Sequence, residues 1–406
     1  MSKKSSLKFK IKTLGLHMVL GHMVPAYYSL FKNRPIDENK VIFIENRYDK
    51  LSNNFDLIYK RLENDGSFVL HTHLLRQLFV GNIEYFKRCF KLAKDMATAK
   101  YIFICEGCRI TGRIKTRPET KIFNVWHACG AIKKFGFSLD DKECGGSGEE
   151  MRYFNMYRAD YASISSEGML DIFEEAFGVS DENPLKVLPI GMSRSDIYFD
   201  DERIRLARER ITRLVPAAKE KKILLYSPTF RGETSAAQAP DSPDYELLRK
   251  NFSDEYILLI NHHPMIKNLP EVPENCRYFA FDVSRTADSD DALMAADICI
   301  TDYSSIVNDY ILLDRPILLY APDHISYNEN RGMYYDYATG SPGPVLVSTE
   351  ELIDSIKNIS DFDMDKMRTY RDWQMKNCDG HSTDRILKVM FGDREIKPLT
   401  AGKEQP

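Results

Sequence analysis

The sequence has no G-x-x-x-x-G-K-[ST] loop and no G-x-G-x-x-G turn, so P-loop and dinucleotide-binding folds are without their fingerprints. H-E-x-x-H and G-x-S-x-G are absent too, which removes the common zinc-protease and α/β-hydrolase signatures. Charge of one sign is not in excess. The 56 Lys and Arg against 60 Asp and Glu leave a net charge of −4, a balance that argues against general nucleic-acid binding. The eight cysteines follow no regular framework, which fits a reducing compartment. The C-x-x-C of Cys105 and Cys108 has no second pair at zinc-site spacing, and Cys105 ends the apolar run from Tyr101, so core packing explains it. Internal repeats and low-complexity stretches are missing as well.

What is present suits two domains. Hydrophobic residues make up 43% and charged residues 29% of 406 positions, an ordinary globular composition in a chain too long for one core. The N-terminus departs from it. Lys3, Lys4, Lys8, Lys10 and Lys12 stand without an acid among the first 12 residues, and Thr13 to Phe31 carries no formal charge. That stretch of 19 residues is near the length of a bilayer span but includes two Gly, two His and Pro25, and it lacks a signal-peptide cleavage site. A basic arm before an apolar helix suits an anionic cytoplasmic leaflet. A first helix packed on its own domain is the other reading. The expected organisation is a membrane-associating segment over 1–35, an N-terminal domain over 36–215, a C-terminal domain over 216–392 and a disordered tail over 393–406. The expected location is peripheral, at the cytoplasmic face of the plasma membrane.

Val41–Glu45 reads as the first buried strand, followed by a helix over 53–62, a strand over 68–71, a helix over 82–97 and strands over 101–105 and 122–126. Such alternation predicts an α/β fold with a parallel, doubly wound sheet. Trp126-His127-Ala-Cys-Gly130 closes the last of these strands, and a helix is expected to begin over Ala131–Phe135. Ligands of open α/β sheets bind beyond the carboxyl ends of strands. His127 therefore stands where a general base belongs, with a satisfied structural histidine as the alternative. Asp140–Glu150 reads as an acidic, Gly-rich loop and 215–222 as the linker between halves.

In the second half, Ala296–Asp323 reads as strand, turn, helix and strand. Ser304 and Ser305 sit where a helix N-cap belongs, and free backbone N–H groups there suit a phosphate. Simple capping of a structural helix accounts for the same residues. Strands over 223–226 and 256–260 end in Ser227-Pro-Thr229-Phe-Arg231 and Asn261-His262-His263-Pro264. Right-handed crossovers bring these loops to one sheet edge. Cation, imidazole, hydroxyl and a helix start on one edge are what a diphosphate needs.

The ordered set Trp126-His127, Gly191-x-x-Arg194-x-Asp196, Pro228-Thr229-x-Arg231, His263-Pro264, Asp302-Tyr303-Ser304-Ser305 with Asp309, Arg331-Gly332 and Asp379-Gly380 resembles the CDP-glycerol glycerophosphotransferase family. These are the primases and polymerases of teichoic acid and related capsule polymers. The likeness runs from about Val41 to Met390 and is specific as a set. It implies a GT-B fold, two Rossmann-like domains facing a central cleft, at the membrane surface. It also implies attack of an acceptor hydroxyl on the β-phosphate of CDP-glycerol or a related CDP-polyol, releasing CMP. The acceptor would be a lipid-linked saccharide or growing polymer; no nucleic acid and no cofactor are implied. By the resemblance His127 is the base, His263, Pro264, Ser304 and Ser305 surround the donor diphosphate, and Arg194, Thr229 and Asp309 are further donor contacts. Arg231 joins His127 and His263 as a catalytic candidate on chemical grounds, a cation able to steady the transferring phosphoryl group. No acidic cluster has metal-ligand spacing. The chain departs from the family twice. Ala128-Cys129-Gly130 replaces Gly-Thr-Pro, which alters the loop beside the base. Gly191-Met-Ser-Arg194 replaces Gly-Tyr-Pro-Arg, which loosens that loop. The polyol is therefore open between glycerol and ribitol. A GT-B glycosyltransferase or epimerase using a UDP-sugar is the alternative enzyme, and a membrane-peripheral scaffold with a decayed site the non-enzymatic reading.

Overall fold

The computed structural model describes residues 14–77, 79–139, 148–232 and 236–399. They build two six-stranded sheets. The first contains β1 (Asp37–Glu45), β2 (Val69–Leu74), β3 (Ala99–Ile104), β4 (Lys121–Asn124), β5 (Tyr161–Ser163) and β6 (Lys186–Leu188), in the order β2-β1-β3-β4-β5-β6. The second contains β7 (Lys222–Tyr226), β8 (Tyr256–Ile260), β9 (Ala280–Asp282), β10 (Ile298–Thr301), β11 (Ile317–Tyr320) and β12 (Val345–Leu346), in the order β12-β11-β10-β7-β8-β9. Every ladder is parallel. Parallel sheets are covered on both faces, which is why strands such as Tyr256–Ile260 are continuously apolar and buried along their length. Each order reverses once, between β1 and β3 and between β7 and β10, and a crevice opens beyond the strand ends at such a point. The architecture is the expected GT-B pair of Rossmann-like domains.

The halves are locked at their seam. The helix Asp201–Leu214 lies against Ser289–Ala295, and Asp291 there accepts two hydrogen bonds from Arg210 (2.6 and 2.9 Å) and an ion pair from Arg203 (2.8 Å). The expected linker is a helical turn, Pro216–Lys219, with Val215 and Ala218 buried. The chain also crosses back at its end. Helix Ser382–Phe391, expected with the second domain, buries Ile386, Leu387, Met390 and Phe391 in one core with Val41, Phe43, Tyr101 and Phe103 of the first sheet. Asp196 caps that helix, accepting from the Ser382 and Thr383 amides at 3.0 and 2.7 Å. Beyond it the tail expected to be disordered is anchored as far as Pro398: Arg61 donates to the Ile396 and Lys397 carbonyls, and Asn64 to that of Pro398 (3.0 Å).

At the other terminus, residues 14–18, the turn Val19–Met23 and the helix Val24–Ser29 run on as one helical segment. Leu20, Val24 and Tyr28 are buried, and Tyr27 meets Phe90 of the helix Asn82–Met96 edge-on at 5.2 Å. One face is therefore the domain's own first helix, while Leu14, Met18, Met23 and Leu30 remain exposed on the other. Among the described residues no helix is long and apolar enough to cross a membrane. The basic arm from Lys3 to Lys12 lies outside the described residues, as does most of the acidic loop, 140–147; residues Gly148–Phe154 are helical.

The helix expected to begin over Ala131–Phe135 does not form. Gly130 and Gly136 both have positive φ, +59° and +56°, and the amides between them bond outward. Ala131 donates to Gln374 Oε1 (2.8 Å) and Lys134 to the Gly332 carbonyl (3.1 Å), with an antiparallel bridge between Lys133 and Met333. Partners from the other half take the donors a helix would have used.

Candidate active site

β4 ends in a sharp turn at Trp126, a non-glycine residue at φ +54°. Its amide bonds Asn124 Oδ1 (2.9 Å), and its indole lies 4.9 Å from Phe177 and 5.3 Å from Phe135. This anchored residue turns the next side chain, His127, into the cleft. His127 Nδ1 lies 3.0 Å from the Cys105 carbonyl. A carbonyl only accepts, so Nδ1 carries the hydrogen and Nε2 keeps its lone pair. Burial, with the positive charges of Arg47 and Arg194, pushes the imidazole down to about 3.

His263 follows β8 in the other half, and its protons are arranged the opposite way. Its Nδ1 accepts from the Met265 amide (3.2 Å), so Nε2 is the N–H donor. The ring rests 4.9 Å from Phe230, and the residue is exposed. The protein around it, then the charges of Lys133 and Arg47 from the first half, push it down to about 4.

β7 and β10 flank the reversal point of the second sheet, and their loops are tied together. The Thr229 amide bonds Asp302 Oδ1 (2.8 Å) and Thr301 Oγ1 bonds the Ser227 carbonyl (2.6 Å). Ser304 and Ser305 precede the short helix Ile306–Tyr310. Ser305 does not cap that helix with its side chain. Ser304 Oγ accepts only a long bond from the Ile306 amide, 3.4 Å. Both serines are half-buried on the cleft. Capping therefore accounts poorly for the pair, and their hydroxyls stand available to an anion. Thr229 is buried beside them with Oγ1 unpartnered among the described residues, and Pro264 is exposed next to His263.

Three charged residues are placed differently from the sequence expectation. Arg231 is committed to carboxylates: two bonds to Asp323 (2.6 and 3.0 Å) and an ion pair with Asp302 (3.0 Å), with the guanidinium 5.1 Å from both the Tyr303 and Tyr327 rings. It braces the loops instead of presenting a free cation. Arg194 and Asp309 are buried partners across the seam, 3.2 Å apart, and Arg194 also pairs with Asp290 (3.4 Å) and donates to the His127 carbonyl (3.2 Å). They form an interdomain strut. Neither of the two departing loops is loose. Asn308 Nδ2 holds the Cys129 carbonyl at 2.7 Å. Gly191, at φ +85°, is so enclosed that a Cβ would fall 2.2 Å from Ser382 Oγ.

A free cation stands at Lys133, in the segment expected to be a helix. Among the described residues its ammonium has no hydrogen bond or ion pair. Burial leads its downward shift, joined by Arg331 and Arg231 against the pull of Asp302, to about 8. Arg47, just past β1 at the reversal point of the first sheet, is held by Glu106 (2.7 Å). Its position after the first strand was the available signal. No group of three His, Cys, Asp or Glu among the described residues is placed to hold a metal ion.

The family model for CDP-glycerol:poly(glycerophosphate) glycerophosphotransferase matches residues 26–392. The chain belongs to that family. Among curated glycerophosphotransferase-family relatives, the teichoic acid ribitol-phosphate primase of Bacillus spizizenii is 30% identical over 93% of this chain and 97% of its own length. The teichoic acid poly(ribitol-phosphate) polymerase of the same organism is 30% identical over 92% of this chain, which spans 59% of that longer protein. A solved variant of the wall teichoic acid polymerase TagF superposes with a TM-score of 0.75 at 19% identity, over 94% of both chains. That likeness shows the shared GT-B fold.

Proposed function

We propose that the chain transfers a polyol phosphate from a CDP-polyol, CDP-ribitol or CDP-glycerol, to a hydroxyl of a lipid-linked saccharide or growing teichoic acid-type polymer, releasing CMP. The observation that carries this reading is the pair of imidazoles in opposite tautomers, one on each half and both under the charge of Arg47, with the half-buried Ser304 and Ser305 on a strand-end loop of the second sheet. His127 Nε2 takes the proton of the acceptor hydroxyl as its oxygen bonds the β-phosphorus. The bond from that phosphorus to the oxygen bridging to CMP breaks, and His263 Nε2–H donates to the departing phosphate. Lys133 and Arg331 balance the diphosphate charge, and Ser304, Ser305 and Thr229 orient it. An anionic donor beside Arg47 offsets the charge that lowers His127, raising its basicity when it is needed. CDP-ribitol is the first donor to try, because a ribitol-phosphate primase matches the chain over nearly its whole length. The exposed Leu14, Met18, Met23 and Leu30 face supports peripheral binding to the cytoplasmic leaflet.

His127→Ala and His263→Ala are each expected to lower CMP release by about a hundredfold or more with thermal unfolding unchanged. Release at the wild-type rate from either variant would remove that histidine from the mechanism. UDP released from a UDP-sugar in place of CMP would overturn the donor assignment.

A further inference from the structure

The loop that carries the base is gripped from the opposite half of the molecule at three successive points. Asn308, wholly buried, donates Nδ2–H to the Cys129 carbonyl at 2.7 Å. Gly130 is packed so closely that a Cβ would lie 2.4 Å from both Asn308 Nδ2 and Gln374 Oε1, and Gln374 Oε1 also accepts the Ala131 amide at 2.8 Å. On the other side of this grip the His127 carbonyl is held by Arg194, which is itself paired with Asp309. Asn308 and Asp309 are neighbours on the helix that begins immediately after Ser304 and Ser305.

We propose that Asn308 is a positioning residue for the transfer reaction, holding the base loop to the helix that presents the donor serines and so setting the line from His127 Nε2 to the transferring phosphorus. The inference rests on His127 being the base. The imidazole is held by the Cys105 carbonyl and by the Trp126 ring 4.3 Å away, and its main chain is fixed by Arg194 at residue 127 and by Asn308 at residue 129. Displacing a reacting group by about 1 Å costs about a hundredfold in rate. Asn308 has no surface on the cleft, so its removal acts on turnover and leaves donor binding in place.

The test uses the full chain carrying Asn308→Ala, and Asn308→Leu, which keeps the volume while removing the donor N–H. Measurements are CMP release from CDP-ribitol and CDP-glycerol, donor Kd by calorimetry, thermal unfolding, and the ring ¹⁵N signals of His127, identified by their loss in His127→Ala. The expected result is a ten- to hundredfold lower kcat, donor Kd within about twofold, and His127 ring signals moved from one fixed tautomer towards the average of two. The Leu variant carries the test if the Ala variant fails to fold. Unchanged His127 ring signals, or an intact kcat with donor affinity lost, overturns the proposal. If His127→Ala itself turns over at the wild-type rate, the base assignment fails instead, and the ring signals still report whether Asn308 holds the loop.

Discussion

Three titrating side chains in one cleft set the range in which the site can work. His127 and His263 are pushed down to about 3 and about 4, so both stay neutral well below the ordinary histidine value near 6.5. The acid limb of kcat/KM is accordingly expected to lie below pH 5, with little loss as pH falls through 6.5. Lys133 sets the other limb. With its pKa lowered to about 8, it is charged below that pH and loses its charge as pH rises through it, taking with it a partner for the diphosphate. Activity should fall on the alkaline side near pH 8, and Lys133→Arg, which stays charged, should carry it past pH 9. A pH–rate profile with an alkaline limb unchanged in that variant would remove Lys133 from the site. At this scale the sequence exposed some roles and concealed others. His127, His263, Ser304 and Ser305 stand at strand ends in motif order, and a strand end is legible from local pattern. Arg194, Asp309 and Arg231 carry the same motif signature, but a charge facing a ligand and a charge facing a buried partner look alike until the partner is seen. For Arg194 that partner is 115 residues away, at Asp309.

Hydrophobic alternation marks out elements such as β8 and the helix Asn82–Met96, which fall where the pattern puts them. The segment after His127 does not, because its conformation is set by groups from another part of the chain. Ala131 to Phe135 has helical spacing, yet its amides are taken by Gln374 and Gly332 and its start is a glycine at positive φ. Tertiary partners override a short local preference. Gly130 is the element's fixed point. Gly130→Ala would force a left-handed alanine against Asn308 and Gln374, at a cost of about 1–3 kcal/mol. A lower melting temperature together with slower CMP release is expected; a variant matching wild type in both would show that the loop is not so tightly held.

Taken whole, the molecule is two sheets held in register by ionic and apolar ties. The Arg194 strut is the ionic one, with its three partners buried or nearly so. Arg194→Met would leave Asp290 and Asp309 without their cation and is expected to destabilise the fold by about 3–5 kcal/mol. Adding Asp309→Leu to that variant should recover part of the loss, and equilibrium denaturation of the single and double variants measures both. A double variant no more stable than the single would show that the buried charge is not the source. The apolar tie is the helix Ser382–Phe391, packed back on the first sheet. Its consequence concerns synthesis. Val41, Phe43, Tyr101 and Phe103 leave the ribosome early, yet the residues that complete their cover are translated only after the whole of the second sheet. The N-terminal domain cannot finish folding on the nascent chain while its partner domain is being made. It must wait, apolar face open and within reach of chaperones, until residue 391 has cleared the exit tunnel.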